Sequence, residues 1–246
     1  GWHATGRGVS VYSRCYDANG QYSRNTQLGI NAFWAGTSSN LTCLSFLGPF
    51  EAAFDATIFS HEMGHANIDF ATGGAITNGS AYSVTCADGV NECCNSVAPA
   101  VGSNGCGGAI NEGQADVHAY FLFDTPSLAE FFMNDTMGFR DRNGTLLANK
   151  TSQQAFSETY RGVVGAEIHH MGGIYGAIWW TFRQNANVGL NVAAKIFLAH
   201  IELLSASDTF ITAGRAAITA NNTLLAAGKL PRSFEPEIRA AFSQHG

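Results

Sequence analysis

The sequence predicts an α+β protein with a small N-terminal β-sheet lobe, a central helix and a mainly helical C-terminal lobe. Three observations carry this expectation. Residues 1–50 alternate, with β-branched and aromatic residues punctuated by Gly, Asn and Ser. The run from Glu51 to Phe70 places Phe54, Ile58, Phe59, Met63, Ala66 and Phe70 at roughly helical spacing. From Ala109 onward helical patterns dominate. Strands first and helices later is the α+β order, with a cleft expected between two lobes.

In chain order, Val9–Tyr12 and Leu28–Trp34 read as strands, and Asp17–Gly20 reads as a turn. The long helix follows, preceded by Pro49 and stopped by Gly73 and Gly74. Residues 73–109 are rich in Gly, Ser, Asn and Cys without an apolar period, and a loop of that length needs cross-linking to persist. A second helix spans about Ala109–Phe123 and stops before Pro126. After a polar stretch, Gly172–Arg183, Val192–Leu204, Thr209–Ala220 and Glu235–Ser243 are helical in pattern. The expected division is 1–72 for the sheet lobe and its helix, 73–109 for a cysteine-rich insertion, and 110–246 for the helical lobe, in one domain overall.

Composition narrows the function classes. The chain has 246 residues, 46% of them hydrophobic, enough for a sizeable core. A net charge of −6 with no basic run argues against nucleic acid as the main partner. No apolar stretch reaches membrane-spanning length. Six cysteines, at 15, 43, 86, 93, 94 and 106, read as disulfides and hence as a secreted or otherwise extracytoplasmic protein, with free buried thiols as the alternative. A bond between the adjacent Cys93 and Cys94 would be strained, so both are expected to pair outward; the connectivity is open. The chain begins at Gly1, so a processed form with an upstream pro-segment is expected. Sequons at Asn40, Asn78, Asn134, Asn143, Asn149 and Asn221 would carry sugar only in a eukaryotic secretory pathway.

Chemistry concentrates in the first long helix, where His61-Glu62-Met63-Gly64-His65 forms the pattern H-E-x-x-H. Positions i and i+4 share a helix face, so both imidazoles point at one spot. Two neutral imidazoles suit zinc, and a neighbouring carboxylate such as Glu62 can take a proton from water. A pattern with three fixed positions arises by chance in many chains, so a third ligand must come from elsewhere. In the second helix, Glu112 and Asp116 again stand at i and i+4, between apolar flanks. Glu112 can complete a three-ligand zinc site, and Asp116 can accept the second ring N–H of a ligating histidine.

Several ordered blocks resemble the thermolysin-like and fungalysin-like zinc metallopeptidases, the gluzincins. Asn31-Ala32-Phe33-Trp34-Ala35-Gly36 resembles the family's edge strand, so Asn31, Ala32 and Trp34 are expected to bind substrate backbone. His61–Ala66 with Asp69 and Ala71-Thr72-Gly73 resembles the active-site helix, and Gly108–Glu112 through Asp116 resembles the block with the third zinc ligand. In that block Asn111 and Asp116 are expected to support the ligands. Glu167-Ile168-His169-His170-Met171-Gly172 resembles the segment whose histidine stabilises the oxyanion, which implies His169 rather than His170. Arg140 stands where the family's substrate-binding arginine is expected. The blocks span about residues 31–246. The departures are a short N-terminal lobe, a long cysteine-rich insertion and no clear calcium-binding cluster, so calcium is not expected.

The resemblance implies a secreted zinc endopeptidase acting on peptides or proteins. His61, His65 and Glu112 would hold one zinc ion, Glu62 would be the general base, and His169 with Arg140 would meet the oxyanion. The competing expectation is a catalytically restricted or silent zinc-binding domain that binds a protein partner through its cleft. His3, His118, His170, His200 and His245 are expected to be surface or packing residues, and Trp179, Trp180 and the Val192–Leu204 stripe to be core.

Overall fold

A computed structural model describes residues 10–12, 32–34, 41–44, 55–76, 107–128 and 168–245, with side chains for 55–76, 107–128 and 172–245. The described helices are α1 (Ala56–Thr72), α2 (Gly107–Phe123), α3 (Ile168–Gln184), α4 (Gly189–Ile201), α5 (Phe210–Ala226) and α6 (Glu235–Gln244).

This corrects the expected α+β class and its N-terminal β-sheet lobe. Of the residues with described side chains, 74% are helical and none lies in a strand. Among the described residues, strands are limited to β1 (Ser10–Tyr12), β2 (Ala32–Trp34) and β3 (Leu41–Leu44), of three, three and four residues. β3 lies between the other two, parallel to β1 and antiparallel to β2. Segments this short are at the lower limit of strand length, and by themselves they do not make the expected lobe. Alternation in residues 1–50 records a local preference for extended backbone; it does not record how many neighbours pair. The turn at Asp17–Gly20 and most of the cysteine-rich insertion lie outside the described residues. The last three residues assigned to that insertion, 107–109, form the start of α2.

The pattern from Glu51 gives a described helix that starts later, at Ala56, because Asp55 caps it. Its Oδ1 accepts from Thr57 N at 3.0 Å and Ile58 N at 3.3 Å, satisfying amides that the first turn cannot. At the other end Gly73 takes φ +63°, and Gly74 N donates to Asp69 O at 2.8 Å.

Between α1 and α3 runs α2, buried from Gly107 to Val117. Glycines set both spacings. A Cβ on Gly64 of α1 would stand 2.7 Å from the Ala115 Cα, and one on Gly113 would stand 2.8 Å from the Tyr175 Cβ. A Cβ on Gly172 would stand 2.7 Å from the Glu112 Cβ. These crossings are therefore backbone against backbone, closer than ordinary side chains permit.

The remaining helices close around Tyr175, Trp179, Phe197 and His200, all essentially without exposure. Trp180 is buried too, as the sequence led us to expect. The Tyr175 hydroxyl lies 2.7 Å from His200 Nε2, and His200 Nδ1 lies 3.3 Å from Phe197 O. Burial pushes the His200 imidazole down to about 3, so it is neutral: Nδ1–H donates to the carbonyl and Nε2 accepts from Tyr175. Helix α5 starts on a capping box between Thr209 and Thr212 and runs past Ala220 to Ala226. Asn221 accounts for the extension. Its Oδ1 accepts from Phe234 N at 2.9 Å and its Nδ2 donates to Ser233 Oγ at 3.1 Å, tying α5 to the approach of α6. Asn221 has no exposure, so its sequon cannot carry a glycan in the folded chain. The other five sequons lie outside the described residues.

Candidate metal centre

Close crossing of α1 and α2 brings two pairs of i, i+4 side chains face to face. His61 and His65 project from α1, Glu112 and Asp116 from α2, and all four are buried. His61 Nε2 and His65 Nε2 are 3.0 Å apart. Glu112 Oε2 stands 3.3 Å from the first and 3.7 Å from the second. Donors bound tetrahedrally at about 2.0–2.2 Å from an ion stand roughly 3.3–3.6 Å apart. The three observed separations bracket that range, and two imidazoles with a carboxylate form a competent donor set. This buried His61, His65, Glu112 group could hold a metal ion.

Asp116 does not join the three. Its Oδ1 lies 2.8 Å from His61 Nδ1, on the ring edge away from the cluster, which leaves Nε2 to face inward. Asn111 donates from Nδ2 to Ile76 O at 3.3 Å, holding the segment after α1 against α2, and its side chain also supports His65. Glu62 is buried on α1 beside His61 but is not one of the converging donors.

Electrostatics in the metal-free site are asymmetric. Burial alone would lower the His61 imidazole, but hydrogen bonds to Asp116 and Glu112, reinforced by their charges, hold it up at about 10. Burial lowers His65 to about 4; the Glu112 charge opposes this and the neighbouring His61 charge adds to it. At neutral pH His61 is therefore favoured as the imidazolium and His65 as the neutral imidazole, with the two Nε2 atoms facing each other at 3.0 Å. A metal ion held by the three donors would take the place of the Nε2 proton of His61.

A pH dependence follows. Between about 4 and about 10 a bound ion must displace one proton, from His61, while His65 is already neutral. Metal affinity is expected to rise about tenfold per pH unit over that interval and to level off above it. Titration calorimetry at pH 7 in two buffers of different ionisation enthalpy should report one proton released per ion. Zero release would show that His61 is not the protonated partner.

Sequence reasoning missed three features here. Ser60, one residue before His61, is joined to His118 of α2: His118 Nδ1 lies 3.1 Å from Ser60 Oγ and 3.0 Å from Ser60 O. This clasp fixes α1 against α2 next to the first ligand, and burial keeps His118 below its ordinary value, hence neutral. The Asp55 cap was legible, as an Asp directly before a helical run. Gly64 and Gly113 were legible only as glycines inside helical patterns, a signal of close approach.

Other expected site residues are not brought to the cluster by the described side chains. His169 falls in the first turn of α3, with its side chain outside the described residues. Ala32 and Trp34 are described only as backbone of β2; Asn31 and Arg140 lie outside altogether. Of the cysteines, only the Cys43 backbone, in β3, is described. No helix among the described residues is long and apolar enough to cross a membrane. No family model matches the chain, and no curated protein matches it.

Proposed function

We propose that this chain is a zinc-dependent endopeptidase, secreted in keeping with its cysteine content. The observation that carries the reading is the buried His61, His65, Glu112 cluster at tetrahedral spacing, with Glu62 beside it and outside it. A carboxylate adjacent to three ligands yet not ligating is what water activation needs. Zinc held there would supply Lewis acidity toward a scissile carbonyl and toward water.

The chain's own groups divide the rest of the work. Asp116 holds the His61 ring so that Nε2 faces the cluster. Glu62 accepts a proton from the attacking water on its carboxylate and delivers it to the leaving amine. His169 and Arg140, assigned on the resemblance, donate to the oxygen that gains charge; each such donor contributes about 2.7–4 kcal/mol in the transition state. The extended substrate runs beside Asn31, Ala32 and Trp34, which read its backbone.

The test is cleavage of a mixed peptide library by the zinc-loaded chain at neutral pH. Internal cuts are expected. Cuts confined to the termini would replace the endopeptidase reading by an exopeptidase one. No cleavage with zinc bound would reduce the site to metal binding.

A further inference from the structure

A groove of about 330 Å³ lies between α5 and α6, with Ile178 of α3 also lining it. Its floor is apolar: Ile178, Phe210 and Ile238 are buried there, and Ile218 and Phe242 form partly buried walls. Gly214 makes the floor deep, because its missing Cβ would stand 3.0 Å from the Phe242 ring. Two cations line this groove. Arg239 is already occupied, giving Nε and Nη2 to Glu235 Oε1 at 2.8 and 2.6 Å. Arg215 is exposed, and among the described residues no carboxylate stands within ion-pair distance of it.

We infer that this groove binds a small apolar carboxylate, with its hydrocarbon part on Ile178, Phe210 and Ile238 and its carboxylate on Arg215. The apolar floor selects a hydrocarbon body, and one guanidinium without a carboxylate partner among the described residues matches one planar carboxylate in a two-point contact. A phosphate dianion would call for further donors, and Arg239 is held by Glu235. The inference is independent of the metal centre.

Octanoate binding to the full zinc-loaded chain, followed by titration calorimetry, tests it. Saturable binding is expected, weakening about fourfold for each methylene removed. Arg215→Gln should weaken it about tenfold, as should replacing octanoate by octanol. Ile218→Trp should fill the groove and abolish it. Arg215 is exposed, so its substitution leaves the fold intact and decides the matter even if Ile218→Trp fails to fold by circular dichroism. Absence of saturable octanoate binding overturns the inference. So does binding indifferent to Arg215→Gln, which is how coordination to the zinc ion would behave, or octanol binding as tightly as octanoate.

Discussion

Glu62→Gln is expected to abolish peptide hydrolysis while the ion stays bound. The cluster donors are His61, His65 and Glu112, so removing the Glu62 charge takes no ligand away. The amide keeps the size and shape of the carboxylate and can still hydrogen-bond, but it cannot accept the proton of the attacking water. General-base catalysis contributes about 10²–10⁴-fold, so kcat/KM should fall by at least about two orders of magnitude. The measurement pairs hydrolysis of an internally quenched peptide with the zinc content of the same sample. Activity within tenfold of the parent chain, at equal zinc content, would remove Glu62 from the mechanism. Loss of zinc along with activity would instead make it a structural support for the ligands. The same change separates catalysis from contamination, since a co-purifying peptidase would be indifferent to it.

The second large effect is at Gly64, a position with no chemistry of its own. Gly64→Ala in a free helix would stabilise by about 1 kcal/mol, because alanine is the better helix former. Here the sign reverses. The new methyl would stand 2.7 Å from the Ala115 Cα and 3.1 Å from the Ala115 carbonyl oxygen, both backbone atoms that no rotamer change can move. Overpacking of this kind costs about 1–3 kcal/mol, and the relief is to push α1 away from α2. That movement also pulls His61 and His65 from Glu112, so zinc affinity should fall at least tenfold together with the midpoint of urea unfolding. A variant as stable as its parent, with unchanged zinc affinity, would show that the crossing is looser than the structure has it.

These two residues mark what was readable and what was not. Spacing alone put His61 and His65 on one face and Glu112 and Asp116 on another, because a helix repeats every 3.6 residues whatever surrounds it. Helix positions were legible for the same reason, and so was the stop at Gly73. The end of α5 was not: it depends on Asn221 reaching Ser233 and Phe234, a bond across a turn that no periodicity encodes. The strand-like alternation of residues 1–50 misled, since extended propensity is local whereas a sheet lobe requires long paired neighbours.

By itself, then, the sequence determined the donor types, their spacing along each helix and the carboxylate next to the first histidine. Only the tertiary structure decided that the two faces meet, that they meet at glycine-controlled distances, and that Asp116 serves His61 rather than His65. It also decided the electrostatic asymmetry of the histidines, which are chemically identical in the sequence. Burial and the carboxylates of Asp116 and Glu112 split them, favouring the imidazolium form of His61 and the neutral form of His65. The reason is range: helical periodicity is fixed by bonds a few residues apart, whereas proton affinity and helix spacing are fixed by atoms that are neighbours only after the chain has folded.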